Sequence, residues 1–232
     1  MPAVLITGAG RGFGRTLLEE YLARDWTAFP LVRDAQVATA LKALPGSCHP
    51  VVADVGTAEV EEAIAEALRT VGVPLDLLVN NAGHLRKLRG LAATEAADLE
   101  ELFRVHCVGA LRCTRAALPW LRMAARSLVV NVSSRFGSIA RTAAGEFRGI
   151  YSYNVAKAAQ NMLTACLDHE LRGAGIRVLA VHPGRLRTSV GAVDADTDPA
   201  DAARALADWV ERVDRDAPCA CHDLMGGGLV EW

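Results

Sequence analysis

The 232-residue sequence has no excess of either charge: 25 lysines and arginines face 27 aspartates and glutamates, for a net charge of −2. Without a sequence-wide field, neither nucleic acid nor anionic lipid is favoured as a partner, and small molecules are preferred. The sequence also lacks an apolar stretch long enough to span a membrane, and its start has no basic segment or signal-cleavage site. These absences predict a cytoplasmic protein.

The sequence lacks a CxxC pair, which argues against a thiol redox motif or a zinc site. Cys219-Ala220-Cys221-His222 is spaced too tightly for usual zinc geometry, so we assign it to a strand over Cys219–Met225 and predict no metal. In a chain of this length the cysteines indicate buried thiols in a reducing compartment. They are Cys48, Cys107, Cys113, Cys166, Cys219 and Cys221.

No internal repeat, low-complexity tract or linker divides the chain, and 51% hydrophobic residues suffice for one core, so we expect a single domain over residues 1–232. Apolar runs without polar alternation indicate strands buried on both faces, and helical stretches separate them. This alternation predicts an α/β, doubly wound parallel sheet, a Rossmann fold of about seven strands. The runs are Ala3–Ile6, Thr27–Val32, Val51–Val55, Leu75–Val79, Ser127–Val132 and Ile176–Val181. Within the second run, Pro30 lacks an amide and predicts a bulge or slipped edge.

A glycine-rich turn, Thr7–Gly14, joins the first strand to the first helix. Glycines let the backbone approach a pyrophosphate, and a helix N-terminus offers free amides, so the context predicts a dinucleotide site. A merely tight strand-to-helix turn is the alternative. The residues expected at the cofactor are Gly8, Gly10, Arg11, Gly12, Phe13 and Gly14.

Cofactor preference is read at the end of the second strand, where an NAD site usually carries an acidic residue about 20 positions after the turn. Here the position carries Arg33, whose guanidinium suits a 2′-phosphate, and Arg11 adds a second positive charge. NADP(H) is therefore preferred, with NAD(H) as a possible cofactor. The alternative is that Arg33 is solvated and Asp34 only caps the next helix.

Tyr153 and Lys157 are four residues apart, on one face of a helix. A nearby ammonium is expected to lower the pKa of the phenol and make it a general acid or base. Ser134 follows an apolar run, where its hydroxyl can hydrogen-bond a substrate oxygen. Taken alone, this tyrosine–lysine spacing more often marks an ordinary surface helix. Its occurrence together with the glycine turn and a serine at a strand end is far more specific.

With these motifs the sequence resembles the classical short-chain dehydrogenase/reductase family along essentially its whole length. Ser133–Ile139, the Pro183-Gly184 segment and Gly228–Trp232 are most similar to the C-factor/sniffer-type carbonyl reductase branch. The supporting motifs are Thr7–Gly14, Asp54, Asn80–Gly83, Asn131–Ser134, Tyr153–Lys157 and His182–Thr188.

The resemblance implies NADPH-dependent interconversion of a carbonyl compound and its alcohol. It makes Tyr153 the proton donor in reduction, Ser134 the residue that polarises the carbonyl, and Lys157 the holder of the nicotinamide ribose. It also implies a homodimer or homotetramer, with Ala96–Leu118 and Tyr153–Arg172 as candidate interfaces. The remaining cofactor positions are Asp54 and Val55 along the adenine; Asn81, Ala82 and Gly83 near its ribose; and Pro183, Gly184, Leu186 and Thr188 around the nicotinamide, with Thr188 on the carboxamide.

The sequence departs from the family at His106, where the family usually has a fourth catalytic residue, an asparagine. An imidazole can maintain the proton relay with a new pH dependence, or only fill space while catalysis is slowed or lost. The second outcome motivates a rival function, a catalytically weak NADP-binding regulatory protein. Epimerase or dehydratase chemistry is less favoured, because little chain follows Thr188 to enclose a sugar nucleotide.

Ser134 and Tyr153 lie 19 positions apart (153 minus 134), wider than in many family members. The intervening residues 137–150 are expected to form a substrate lid, or else a surface loop without substrate contact. Cations after three strands suggest an anionic substrate, although cofactor phosphates or solubility also explain them. They are Arg86, Lys87, Arg89, Arg135, Arg185 and Arg187.

Overall fold

Apolar runs buried on both faces form a central sheet in the computed structural model, which describes residues 1–85, 90–188, 195–214 and 216–232. The strand order is β3-β2-β1-β4-β5-β6-β7-β8, with parallel pairing from β3 to β7 and an antiparallel β8. The strands are β1 Ala3–Thr7, β2 Thr27–Val32, β3 Val51–Val52, β4 Leu77–Asn80, β5 Ser127–Val132, β6 Ile176–His182, β7 Cys221–Asp223 and β8 Leu229–Val230.

Helices cover both faces of this sheet, as the alternating pattern predicts. Val4 and Ile6 of β1 point into one core with α1, α2 and α8, whereas Ala3 and Leu5 point into a second core with α3, α5 and α7. Across the described ranges no helix combines the length and apolar character needed to cross a bilayer. The helices are α1 Gly12–Ala23, α2 Ala35–Lys42, α3 Val60–Val71, α4 Ala96–Phe103, α5 Gly109–Leu121, α6 Ile139–Ala143, α7 Tyr151–Leu171 and α8 Pro199–Arg212.

The expectation of a doubly wound parallel sheet is confirmed, with two differences in detail. The two-residue β8 pairs with β7 through a turn at Gly227 and Gly228, both at positive φ, and adds an antiparallel edge. The predicted helix Ala96–Leu118 is divided by a π-helical segment, Arg104–Val108, which contains His106.

Pro30 does not mark a bulge: its register with Ile6 of β1 is unbroken. Along a strand, the backbone groups of every second residue point to the same neighbouring strand. On the β3 side of β2, the Ala28 amide donates a hydrogen bond and the Val32 carbonyl oxygen accepts one from the Ala53 amide. The nitrogen of Pro30, midway between Ala28 and Val32, therefore also points toward β3. There β2 pairs only through an isolated bridge at Cys48 and the short strand β3, so no regular ladder hydrogen bond is lost.

Because the strands from β3 to β7 run parallel, their carboxyl ends meet at one edge. Thr7, Asn80, Val132 and His182 end their strands there, and the chain leaves each for a helix or loop. Ligands of open α/β sheets bind at this edge.

Candidate active site

The turn after β1 is shaped for close approach of a phosphate. Gly8 has φ +68°, and a Cβ on Gly14 would lie 2.3 Å from the Gly8 carbonyl oxygen. Arg11, which precedes α1, is extended and gives no side-chain cap, and the first turn contains no acidic residue. The first amides of α1 therefore stay available to an anion, and the turn fits a pyrophosphate.

Asn81 braces this turn from the neighbouring strand. Its Nδ2 donates to the Thr7 carbonyl oxygen at 2.9 Å, while Thr7 Oγ1 accepts from the amides of Asn81 and Ala82, both at 2.9 Å. A Cβ on Gly83 would lie 2.2 Å from Cε1 of His106, so close packing requires glycine there. The Asn81 amide thus serves the fold of the turn, beside its expected position near the ribose.

Arg33 lies at the expected end of β2, and its side chain is 75% exposed with Nη1 3.8 Å from Asp54 Oδ2. Arg11 is also exposed, so both guanidinium groups are open to a phosphate. Asp34 caps α2 by accepting from the Gln36 amide at 2.7 Å, as the alternative interpretation holds. Because the cap of α2 is made by Asp34 and does not involve the Arg33 side chain, a helix cap at Asp34 and a phosphate site at Arg33 are compatible.

Phe13 and Val55 are buried in the two cores, so only their backbones are available to a cofactor. In the segment after β6, Gly184 has φ +94° and packs against Thr197, whose Oγ1 would be 2.6 Å from an added Cβ. Thr188 lies beside the glycine turn, with Cγ2 3.5 Å from the Cβ position of Gly12. The structure therefore brings the two predicted cofactor segments together.

Ser134 follows β5 and is almost fully buried. Its Oγ accepts from the Phe136 amide at 3.3 Å, and its hydroxyl is near enough to Tyr153 to favour the phenolate. Burial raises the pKa of Tyr153 to about 12, with the Ser134 hydrogen bond acting in the opposite direction. This result differs from the expectation that Lys157 lowers the pKa of the phenol.

The position of Lys157 explains the difference. Its Nζ lies 5.7 Å from the Tyr153 ring centroid and donates to the Val132 carbonyl oxygen at 2.6 Å and to Gln160 Oε1 at 2.9 Å. Burial lowers the pKa of Lys157 to about 7, against a smaller raising effect of Cys221. Desolvation therefore favours the uncharged forms of both the phenol and the amine.

His106 is buried in the π-helical segment, with its ring centroid 5.6 Å from that of Tyr153. Its Nε2 is 3.0 Å from the His84 carbonyl oxygen; since a carbonyl only accepts, Nε2 carries the proton. Burial, and secondly the charge of Lys157, hold the pKa of His106 well below its usual value. Nδ1 is buried without a hydrogen-bond partner among the described residues.

Residues 137–150 form α6 and a turn that reaches the site through aromatic contacts. Phe147 packs on Phe136 at 4.3 Å between ring centroids, and Phe136 meets Tyr153 edge-on at 5.9 Å. Arg141 pairs with Glu146 at 2.7 Å and lies 5.7 Å from the Phe147 ring centroid. The segment is thus linked to Tyr153 through Phe136.

Only some of the cations predicted at the ends of the strands can be located, because Arg86, Lys87 and Arg89 lie outside the described residues. Arg185 and Arg187 pair with Asp196 and Asp198 at 3.9 and 3.3 Å. These acidic partners weaken the argument for an anionic substrate.

Sequence reasoning missed a buried polar network beneath the site. Asn80 Nδ2 donates to Asn131 Oδ1 at 2.9 Å, and Asn131 Nδ2 donates to Thr164 Oγ1 at 2.8 Å. Ser133 Oγ donates to Asn161 Oδ1 at 2.6 Å, which fixes the chain just before Ser134. The sequence signal that could have revealed this network is the helical spacing of polar residues, which recur on the face of α7 that carries Tyr153 and Lys157.

Comparison with known proteins decides the family. A model of the short chain dehydrogenase family matches residues 2–198 of this chain. The chain belongs to the short-chain dehydrogenase family. The resemblance inferred from the motifs is confirmed, and so is the assignment to oxidoreductases, which in this family bind a nicotinamide cofactor and act on small molecules.

Similar members of the short-chain dehydrogenase family include C-signal of Myxococcus xanthus, 37% identical over 133 residues that cover 57% of this chain and 78% of that protein. A rhamnolipids biosynthesis 3-oxoacyl-(acyl-carrier-protein) reductase of Pseudomonas aeruginosa is 32% identical over 78% of this chain and 71% of its own. Among solved structures, NADPH-bound carbonyl reductase from chicken fatty liver has a TM-score of 0.90 at 28% identity and covers 100% of this chain and 99% of that chain. Carbonyl reductase Sniffer of D. melanogaster shares the fold at a TM-score of 0.91 and 24% identity, with 100% of both chains covered. These relatives agree with the predicted branch.

Proposed function

We propose that this chain is an NADPH-dependent carbonyl reductase that interconverts an aldehyde or ketone and its alcohol. The observation that carries the proposal is the placement of Ser134, Tyr153 and Lys157 together at the carboxyl edge of the sheet: the Ser134 hydroxyl is near enough to lower the pKa of Tyr153, and Lys157 Nζ lies 5.7 Å from the Tyr153 ring centroid. Two neighbouring hydroxyls can both bind a carbonyl oxygen that arrives between them.

A bound nicotinamide supplies or accepts the hydride at this edge. In reduction, Ser134 donates a hydrogen bond to the substrate oxygen while Tyr153 gives it a proton. Burial keeps the phenol protonated at neutral pH, which is the form that reduction requires. Lys157 would hold the nicotinamide ribose, and Thr188 its carboxamide.

The preference for NADP(H) over NAD(H) rests on the two exposed guanidinium groups of Arg11 and Arg33, with Arg33 at the first position after β2 and the next residue, Asp34, engaged as the cap of α2. Such groups bind a 2′-phosphate through charge-assisted hydrogen bonds. The similar chicken structure contains NADPH, which supports this preference. Asp54, Val55, Ala82 and Gly83 would line the adenosine side through backbone and side-chain contacts.

His106 takes the place that an asparagine usually has in the family. As a neutral imidazole that donates through Nε2, it supports the His84 carbonyl and holds its ring against Tyr153. We propose that it maintains the relay in an active enzyme. If purified protein reduced no carbonyl while His106→Asn did, this proposal would fail, and the weak NADP-binding regulatory function would be favoured.

We also propose that the protein is cytoplasmic, that residues 1–232 form one domain and that residues 137–150 form a substrate lid. We further propose that the protein is a homodimer or homotetramer. The exposed Val155 and Met162 on α7, one of the predicted interface helices, support assembly. Light scattering of the purified protein tests the proposed oligomeric state; a monomer at every concentration would refute it.

The function is tested by NADPH fluorescence titration combined with a panel of aldehydes and ketones. We expect binding in the micromolar range or tighter, and turnover that Tyr153→Phe abolishes. Tight binding without turnover on the whole panel would instead favour the regulatory rival.

A further inference from the structure

Gln160 occupies a buried place in the site that no family motif assigns. It lies three residues beyond Lys157 and seven beyond Tyr153 on α7, so all three share one helical face. Its side chain is almost fully buried, and together with His106 it lines a narrow cavity beneath the site. A buried amide is costly unless it is hydrogen-bonded, so its contacts indicate its role.

The contact of Gln160 is with the ammonium itself. Lys157 Nζ donates to Gln160 Oε1 at 2.9 Å and to the carbonyl oxygen of Val132, the last residue of β5, at 2.6 Å. One acceptor lets a flexible four-carbon side chain swing about a single bond, whereas two acceptors from different elements define its position. An ammonium has three donors, so one N–H stays available to the cofactor ribose.

Within the part of the chain that the structure describes, the titratable groups that face Lys157 offer no fixed negative charge. On α7 the neighbour is Tyr153, from the π-helical segment it is His106, and from β7 it is the buried thiol of Cys221. None of these is a carboxylate, and burial disfavours the charged form of each. Among the described residues, the amide oxygen of Gln160 is therefore the side-chain hydrogen-bond acceptor of the Lys157 ammonium.

We propose that Gln160 is a positioning residue, which holds the Lys157 ammonium in the place and charge state needed to bind the nicotinamide ribose. The inference rests on the proposed function for its purpose, but the coupling between the two side chains can be measured without nucleotide or substrate. Because an amide oxygen stabilises the ammonium and a carboxylate would do so more strongly, two substitutions should act in opposite directions.

The first experiment measures the ionisation of Lys157 through urea unfolding from about pH 5 to 10. Each protein, wild type, Gln160→Met and Gln160→Glu, is compared with the same protein carrying Lys157→Met, so that the difference reports the titration of Lys157 and, in Gln160→Glu, of the new carboxyl group coupled to it. We expect the titration midpoint to fall by about one pH unit in Gln160→Met and to rise by at least as much in Gln160→Glu. Gln36→Met on the exposed face of α2 is the matched control and should leave the midpoint in place.

The second experiment measures NADPH affinity by fluorescence at about pH 8. We expect Gln160→Met to weaken binding about tenfold and Gln160→Glu to bind at least as tightly as wild type, since it keeps a larger fraction of Lys157 charged at this pH. Midpoints that do not move, or that move in the same direction in both variants, would overturn the proposal, because loss of packing alone has no such sign. A wild type that binds no NADPH while the midpoints shift as expected would instead refute the proposed function.

Discussion

Lys157 should destabilise the nucleotide-free protein in a pH-dependent manner. Burial lowers its pKa from 10.5 to about 7, and only 4% of the residue is exposed. Between these values the unfolded chain binds more protons than the folded one, so stability rises with pH across this window. The cost is fully present below about pH 7 and vanishes above about pH 10.5. At about 1.4 kcal/mol per pH unit, its upper limit is about 5 kcal/mol.

Lys157→Met removes this cost but leaves the Val132 carbonyl and Gln160 Oε1 without their donor, at about 1–3 kcal/mol each. That penalty does not depend on pH, whereas the relief does. The difference in free energy of unfolding between wild type and variant should therefore shift by about 3 kcal/mol between about pH 7 and 9.5, with the variant relatively more stable at the lower pH.

Urea unfolding followed by circular dichroism at several pH values measures this difference, and equal slopes against urea confirm that the same surface is exposed. Lys42→Met serves as the control, because Lys42 is exposed at the end of α2 and remains in water in both states. A difference that stays constant from about pH 7 to 9.5 for Lys157→Met would refute the reasoning.

Three further predictions follow from packing and charge. Gly14→Ala should abolish NADPH binding in a fluorescence titration and lower stability by about 1–3 kcal/mol, because its Cβ would overlap the Gly8 carbonyl; Gly173→Ala, which meets open space, should change neither. Arg33→Ala should weaken NADPH binding about 10–100-fold in calorimetry and leave NADH nearly unchanged, and an equal loss for both would contradict the 2′-phosphate site. Asp168→Asn should cost about 3–5 kcal/mol in urea unfolding, because it leaves the buried Arg177 without its 2.8 Å partner. Since the pKa of Asp168 is lowered in the fold, the wild-type advantage should be full above about pH 4 and should decline as pH falls below it toward the lower folded-state pKa, and an advantage that is undiminished at the lowest pH would contradict this account.

The parallel strands could be predicted because burial on both faces leaves an uninterrupted apolar run. The same argument could not find β8, whose two residues are too short for a pattern and of which Leu229 is exposed. Strand β8 depends on β7 as the strand with which it pairs and on the turn at Gly227 and Gly228 that joins the two. Strand limits also differ from the apolar runs: Val51–Val55 is a strand only over Val51–Val52, whereas β1 and β6 extend one residue further, to Thr7 and His182.

The π-helical segment had no signal in the sequence, since Ala96–Leu118 keeps a helical period throughout. Its position coincides with the contact of His106 with the His84 carbonyl, a tertiary contact that helical spacing does not reveal. The direction of the Tyr153 pKa shift was missed for a related reason. Spacing places Lys157 on the right face, but only the fold shows that its Nζ is directed to Val132 and that burial dominates.

The central claim, that Tyr153 protonates a carbonyl oxygen while a hydride reaches the carbon, is tested most directly by isotope transfer. The protein is supplied with NADPH carrying deuterium on the transferred position, and the product alcohol is analysed by mass spectrometry. We predict one deuterium on the former carbonyl carbon with wild type, and a rate at least about 100-fold lower with Tyr153→Phe at nearly unchanged NADPH affinity. Deuterium transfer by Tyr153→Phe at the wild-type rate would contradict the account.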